Sequence, residues 1–370
     1  MRVLVVNAGS STVKLSLLGP GDETLAEREL PAPQSRIDPA QLREALDEGL
    51  GEADAVGHRI VHGAAQFRDP VRIDASVEAA LRGLVDLAPL HQPKSLAALD
   101  AVSAALPGLP AVACFDTAFH STLPPAAATY ALPAAWAGRW GVRRYGFHGL
   151  SHAWVAHRAP EMLGVPGSGS GSGAARIVSC HLGAGASLCA IAGGHSIDTT
   201  MGFTPLEGLV MATRSGNVDP GLLLWLLERE ALTTAELGDA LEHESGLLGL
   251  AGTADMREVL ARVARGDEVA GLALEVYVHR LRAGIAAMTA ALAGIDVLVF
   301  TGGVGERSPE IRGRAADGLA YLGVTVDGGL NAGAMGDVEI TGSGASVRTV
   351  VLHAREDVQI AHETRQVLAK

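Results

Sequence analysis

The amino-acid sequence predicts an α/β protein with mixed sheets in two domains. Three observations carry that prediction. Short runs rich in Val, Leu and Ile alternate along the whole chain with longer helix-period stretches, the pattern of interleaved strands and helices. The chain has 370 residues, a length that favours two domains. The strand–turn–strand pattern "VLVVNAGSSTVKLSLL" near the start is echoed by "IVSCHLGAGASLCAIAGG" at 177–194, as two related halves would require.

Taken in order, 2–7 and 12–18 read as strands around the turn Asn7–Thr12. A bare reversal needs only a turn such as Asn-Gly. This one carries a side-chain amide, a glycine and three hydroxyls, which suit a phosphate or a hydrated metal. Helix-period stretches follow at 39–48, 76–87 and 94–105, with strands at 55–61 and 111–114. A helix is expected over 148–163, and "GSGSGSG" at 167–173 reads as a solvated surface linker. The echo supplies strands 176–181 and 186–192, and helices are expected at 219–230 and 267–293. The second of these is long and Ala-rich, as suits a helix crossing a domain core or an interface. After strand 295–300 comes a glycine loop, "TGGVGERSPE", in which Ser308 can cap a helix, Pro309 suits its first position and Glu310 complements its positive end. The loop is neither a P-loop nor the six-residue dinucleotide fingerprint. Strand 348–352 and helix 355–368 close the chain.

Formal charge is 29 − 41 = −12. Without a dense Lys/Arg stripe, that balance argues against nucleic acid or an anionic membrane as partner. It leaves nucleotides open, since local arginines and backbone N–H groups bind phosphate inside acidic proteins. No apolar run is long enough to cross a bilayer. Met1 is followed at once by Arg2 and a strand-like run, so no secretory leader is read and a cytoplasmic location is expected. Cys114, Cys180 and Cys189 have no metal-like spacing and read as small buried hydrophobes.

The motifs "VNAGSSTVKLSLL", "VGHRIVHG", "LAPLHQPKSL", "CFDTAFH", "YGFHGLSH", "CHLGAGASLCAI", "DTTMGFTPLEGLVMATRSGNVDPG", "TGGVGERS" and "AREDVQIAHET" occur in this order. Together they resemble the acetate kinase family, from residue 3 to about residue 363. That family belongs to a larger group with sugar kinases, actin and the heat-shock chaperones. The resemblance implies two domains of duplicated ribonuclease-H-like (actin-like) topology with an ATP cleft between them. It implies an N-terminal acid-binding lobe of 1–120 plus 358–370 and a C-terminal nucleotide-binding lobe of 121–357. The implied reaction is reversible in-line transfer of the ATP γ-phosphoryl to acetate, giving acetyl phosphate and ADP, with Mg2+ (or Mn2+) and in a homodimer.

The residues can be read on chemistry as well. A small carboxylic acid with a pKa near ~4 is already ionised at neutral pH, so no strong general base is needed. Cations must neutralise two approaching anions, and donors must hold a planar phosphoryl group in line. Arg59 and Arg214 offer the rigid donor fork that fits carboxylate and phosphoryl oxygens. By resemblance both contact the substrate carboxylate or the phosphoryl, and His148 stabilises the phosphoryl in flight. Asp116, at the end of a buried-looking strand, reads as orienting an arginine or a water on magnesium; a covalent phospho-aspartate is the alternative chemistry, and direct transfer needs fewer assumptions. Asn7 and Glu356 are the implied magnesium ligands, a thin set that this ion accepts. Glu356 beside Asp357 also suits a helix N-terminus.

For the nucleotide, the resemblance implies Ser10, Ser11, Thr12 and Lys14, then His181, Leu182, Gly183, Ala184 and Gly185. It adds Asp255, Met256 and Arg257, and Gly303, Val304, Gly305, Glu306 and Arg307. Val61, Leu90, Phe147 and Pro205 form the implied apolar pocket for the acid's methyl group, with His91 on the acceptor side. One extra methylene changes affinity by only about 1–3 kcal/mol, so propionate is expected to react more slowly. Ala184, "LHQPKS", Arg307 and Arg355 depart from the family pattern, at positions that bear on nucleotide preference more than on reaction type. Three alternatives stand beside this reading: a longer-chain acyl kinase, a non-catalytic actin-like ATP-binding module and a sugar kinase. The last would need a carboxylate base and a polar sugar pocket, which Val61, Leu90 and Phe147 fit poorly.

Overall fold

The structure, a computed structural model, describes residues 1–9, 12–31, 39–46, 50–87, 92–167, 173–229 and 231–370. Ser10, Ser11, Leu90, His91 and positions 168–172 of the Gly/Ser linker lie outside the described residues.

Twelve strands are described, in two sheets. The first holds β1 (Val3–Ala8), β2 (Thr12–Leu18), β3 (Thr24–Pro31), β4 (Ala55–Ile60), β5 (Val71–Arg72) and β6 (Ala111–Phe115). The second holds β7 (Arg176–Leu182), β8 (Ala186–Ala192), β9 (His195–Thr199), β10 (Val297–Thr301), β11 (Val338–Glu339) and β12 (Arg348–Val351). The first sheet runs β3-β2-β1-β4-β6-β5, and the second runs β9-β8-β7-β10-β12-β11. Adding six to every label of the first order gives the second. Orientations repeat too: β1–β2 and β7–β8 are antiparallel, whereas β1–β4, β4–β6, β7–β10 and β10–β12 are parallel. This is the duplicated ribonuclease-H-like topology, with mixed sheets, that the echo between the two hairpins foreshadows.

The chain divides into two compact units, Met1–Ser121 with Phe147–Trp154 and Arg355–Lys370, and Thr122–Gly146 with Val155–Ala354. Against the expected boundaries, Phe147–Trp154 and Arg355–Asp357 group with the first unit. The physical reason is local. The Gly149 N–H donates to Asp116 O at 2.8 Å, and Leu150 packs in one core with Val3, Val5, Leu18 and Val112.

In the first unit, β1 is buried on both faces, which is why it reads as an unbroken apolar run. Leu4 and Val6 pack with Leu15, Ala98 and Val102 on one side. Val3 and Val5 pack with Val358, Ile360 and Ala361 of the helix Glu356–Leu368 on the other. Burying one such aliphatic side chain stabilises the fold by about 1.5–3 kcal/mol. The approach is close: a Cβ on Gly57 would stand 2.5 Å from Thr364 Oγ1 and 2.6 Å from Ile360 Cγ2.

In the second unit, the helix Glu268–Ala291 starts at Asp267, whose carboxylate accepts from the N–H groups of Val269 and Ala270. Its buried residues Ala270, Ala273, Leu274, Tyr277, Val278, Leu281, Ile285 and Met288 follow helical spacing, and Gly284 lies against Leu188 of β8. Of the two roles expected for this stretch, it fills that of a core helix.

One local expectation is corrected. The glycine loop after β10 is a short helix, Gly302–Arg307. Gly302 turns the chain sharply at φ +77°, and its N–H donates to the Glu306 carboxylate at 3.1 Å, which closes the turn despite three glycines. The cap beyond it is as expected: Ser308 Oγ accepts from the Ile311 N–H, and Pro309 takes the first position of the helix Pro309–Asp317. Among the described residues no helix is long and apolar enough to cross a membrane.

Candidate active site

Four segments of the first unit bring polar side chains together at one end of its sheet. Asn7 is the penultimate residue of β1, Arg59 lies in β4, Asp116 follows β6 and Glu356 opens the last helix. Arg59 is the hub. Its Nε donates to Asp116 Oδ1 at 3.1 Å and its Nη2 to Asp116 Oδ2 at 2.5 Å. Its Nη1 makes only longer bonds, 3.2 Å to Asn7 Oδ1 and 3.4 Å to Ala8 O. Asn7 Nδ2 donates to Glu356 Oε2 at 3.2 Å, and that oxygen lies 4.0 Å from Arg59 Nε.

Asp116 thus fixes the plane of the guanidinium by a bidentate pair, while Nη1 keeps the exchangeable edge. Burial pulls the Arg59 pKa down, but the Asp116 and Glu356 charges and the Asp116 hydrogen bond outweigh it, and the net shift is upward. Burial raises the Asp116 carboxyl above its ordinary value; Arg59 opposes that shift and Glu356 adds to it. Counted as ionised, the cluster sums to one net negative charge, Arg59 against Asp116 and Glu356. Its remaining donors to a cation are an amide oxygen and carboxylates, all hard oxygen ligands. Among the described residues no group of three or more His, Cys, Asp or Glu forms a denser metal cage.

His148 is tied to the same end of the sheet through its neighbour. Gly149 lies on the Asp116 backbone, where a Cβ would stand 2.2 Å from Asp116 O. His148 itself is left-handed at φ 56°, a conformation that costs a non-glycine residue of order 1 kcal/mol and recurs at functional sites. Phe147 and Val61 are buried. The Phe147 carbonyl lies 3.0 Å from His120 Nε2, and its ring meets His62 edge-on with centroids 5.5 Å apart. Burial pushes the His62 imidazole down to about 4. Lys14 stands opposite Asn7 across the hairpin and pairs with Glu27 at 3.1 Å.

The second unit holds a second set. His181 is the penultimate residue of β7, as Asn7 is of β1, and pairs with Thr301 of β10 in the parallel ladder. The turn Leu182–Gly185 is closed by the Gly183 N–H to Gly185 O at 2.9 Å and held by the Ala212 N–H to Ala184 O at 3.0 Å. Gly302 packs on this turn, since a Cβ there would stand 2.9 Å from Leu182 O. The structure therefore brings His181–Gly185 and Gly303–Arg307 together. Gly303 and Arg307 are exposed. Glu306 is engaged internally: Oε1 accepts from the N–H groups of Gly302 and Ala354, and Oε2 lies 2.7 Å from His353 Nδ1.

Arg214 Nη1 donates to Pro205 O at 2.9 Å, and Nε lies 3.6 Å from Glu242 Oε2. Burial lowers the Arg214 pKa, and Glu242 opposes that shift. Asp255, Met256 and Arg257 are different. Asp255 caps the helix Met256–Val263 and binds Arg257 with both oxygens, Met256 is buried, and the Arg257 side chain is 88% exposed. No hydrogen bond of Asp255 or Arg257 among the described residues reaches the His181 turn.

Sequence reasoning passed over the supports. Arg144 donates to Thr200 O, Met201 O and Glu207, and Tyr130 donates to Glu207, bracing the segment that carries Pro205. Glu242 and Arg312 were also missed. Charged residues in exposed-looking helical stretches give no signal of burial in one sequence.

A model of the acetokinase family matches residues 35–362 of the chain. The acetate kinase of Deinococcus deserti is 44% identical over 400 residues, covering 100% of this chain and 98% of that protein. Among solved structures, the Porphyromonas gingivalis acetate kinase superposes with a TM-score of 0.89 at 37% identity, covering 99% of both chains. A propionate kinase from Francisella tularensis superposes with a TM-score of 0.90 at 34% identity, again covering 99% of both. The protein is accordingly a phosphotransferase whose acceptor is a carboxyl group. It belongs to the acetokinase family.

Proposed function

We propose that the chain transfers the γ-phosphoryl of ATP to acetate, reversibly and in line, giving acetyl phosphate and ADP. The observation that carries this reading is Arg59, locked by the buried Asp116 on one edge and weakly bonded on the other. An arginine so held presents a fixed donor edge to a carboxylate or phosphoryl oxygen. We assign the acid to the first unit, with Arg59, His148, Val61 and Phe147, and His91 and Leu90 beside them. The nucleotide goes to the second, with His181–Gly185 and Gly303–Arg307; Asp255–Arg257 are its adenosine-side candidates. Arg214 and Pro205 complete the acceptor and phosphoryl contacts, and Ser10, Ser11, Thr12 and Lys14 the phosphate contacts. The acceptor is ionised at neutral pH, so His148 has a charge to stabilise and no proton to remove.

Asn7 and Glu356 fit Mg2+, with Mn2+ as the alternative ion. Their donors are hard oxygens, and the net negative charge of the cluster is the wrong sign for an anionic acid unless a divalent ion offsets it. When bound, the ion supplies charge neutralisation at the transferring phosphoryl group.

The test is turnover of ATP and Mg2+ with acetate, propionate or butyrate, with hydroxylamine trapping the acyl phosphate. Acetohydroxamate is the expected main product, with propionate reacting more slowly. Butyrate turnover without acetate turnover overturns the acid assignment, and acid-independent ATP hydrolysis alone would make the chain a nucleotide-binding module. The propionate kinase likeness keeps the three-carbon acid in the series.

We also propose a homodimer in the cytoplasm. The helix Pro220–Glu228 buries none of its residues and exposes Leu222, Leu224 and Trp225, more apolar surface than a lone helix face ordinarily leaves in water. Light scattering at micromolar protein should give twice the chain mass. The three cysteines are free thiols, in keeping with a reducing compartment.

A further inference from the structure

Arg312 is one of the largest fully buried side chains, 1% exposed, yet no carboxylate pairs with it among the described residues. All four of its hydrogen bonds end on neutral oxygens. Nε donates to Asn331 Oδ1 at 2.7 Å and Nη2 to Asn331 O at 2.7 Å. Nη1 donates to Gly305 O at 2.8 Å and Glu306 O at 2.7 Å. A buried charge without a counter-charge is costly and persists only where oxygens are arranged around it.

Two of these oxygens are carbonyls at the end of the helix Gly302–Arg307, where the last turn of any helix leaves carbonyls without an internal partner. Arg312 is itself held. It lies in the first turn of Pro309–Asp317, its N–H donating to Ser308 O at 3.2 Å. Asn331 is fixed in turn by its Nδ2 bond to Pro309 O at 2.9 Å. Three of the six residues in Gly302–Arg307 are glycines, with no side chain to pack. Polar contacts must therefore set the position of the segment: Glu306 holds its start at Gly302, and Arg312 holds its end.

We propose that Arg312 is a positioning residue for nucleotide binding, its buried guanidinium fixing Gly302–Arg307 in the conformation that receives ATP. This rests on the reading above that the segment meets the nucleotide. Lysine keeps the charge but has no planar fork to reach oxygens on two elements at once.

The test compares Arg312→Lys, Arg312→Met, Asn331→Ala and Gly303→Val in the full chain. It reads KM for ATP, KM for acetate, kcat, the Kd of a fluorescent ADP analogue, and Tm. Arg312→Lys should raise KM for ATP and the analogue Kd about tenfold or more while KM for acetate moves less than about twofold. Asn331→Ala keeps both contacts to Gly305 and Glu306, so it should lower Tm without moving KM for ATP. If Arg312→Met does not fold, the lysine variant decides. A fall in Tm with both KM values moved alike, or not at all, overturns the proposal. Gly303→Val tests the parent reading separately, because a Cβ there meets nothing within 4 Å. If it raises KM for ATP and Arg312→Lys does not, the segment binds nucleotide and Arg312 is only scaffold. If it leaves KM for ATP unchanged, the segment is not the nucleotide site and the parent reading falls.

Discussion

Arg59 is both a functional candidate and half of a buried ion pair, and the two roles separate on mutation. Removing it strands Asp116, 1% exposed, without its partner. Such a break costs about 3–5 kcal/mol. Arg59→Ala should therefore lower Tm as well as turnover. Adding Asp116→Asn, which removes the stranded charge, should recover most of the Tm while turnover stays down by roughly two orders of magnitude or more. Recovery of kcat along with Tm in the double variant would take Arg59 out of the chemistry. Arg214 has no comparable trap. Its acid lies 3.6 Å away and its one short bond is to the Pro205 carbonyl. Arg214→Ala should cut turnover by a similar factor with little change in Tm or far-UV circular dichroism. At this scale the sequence supplied names and chemistry without positions. It singled out Arg59, Asp116, Asn7 and Glu356, but only the resemblance set Asn7 with Glu356, and no local pattern said that the four meet, because each lies more than fifty residues from its partners in the cluster. It also gave Asp255 and Arg257 as nucleotide contacts, whereas in the structure they first satisfy each other.

At the scale of elements, the helix Glu356–Leu368 carries a titration that pH can read. Glu363 accepts from Gln359 Nε2 at 2.9 Å, with Cys114, Asp116 and Asp69 as its titratable neighbours. Burial pushes its carboxyl up to about 7 from 4.5. An acid with a raised folded pKa contributes no penalty below the unfolded value, and folding is increasingly penalised as pH rises through the folded one. Glu363→Gln should thus match the wild type in unfolding free energy near pH 4.5 and exceed it by on the order of 2–3 kcal/mol at pH 8. A difference independent of pH would mean that the carboxyl titrates normally. The sequence-predicted strands correspond to β1, β2, β4, β6, β7, β8, β10 and β12. The four it missed, β3, β5, β9 and β11, are the four sheet edges. Edge strands bury less, and β3 is largely exposed and charged, so they lack the apolar periodicity that marks an interior strand. The helix at Gly302–Arg307 was hidden for another reason: its glycines oppose helix formation by propensity, and Glu306 overrides them through a contact no local pattern encodes.

For the whole molecule, the repeat of one strand order in two units invites a division of labour that can be measured. Hydrogen exchange with ADP and Mg2+ should slow amides in the second unit around 181–185 and 302–307. Exchange with acetate should slow amides in the first, around 59–61 and 147–149. Protection by both ligands in the same unit would contradict the proposed assignment. The duplication was legible because the two hairpins keep a common pattern of small and hydroxyl residues. The division of the chain was less so, since the grouping of Phe147–Trp154 with the first unit follows from Gly149 lying against the Asp116 carbonyl and Leu150 packing with Val3 and Val5, contacts between residues far apart in sequence.

The first unit is completed by Arg355–Lys370, a segment far along the chain from its sheet. Val358, Ile360 and Ala361 cover Val3, Val5 and Leu18, residues more than three hundred positions upstream. On the ribosome, that sheet must wait until residues 356–361 have emerged, with one greasy surface uncovered. A nascent chain stalled before residue 355 should recruit holdase chaperones and stay protease-sensitive in its first hundred residues, and supplying the missing helix as a separate peptide should rescue it.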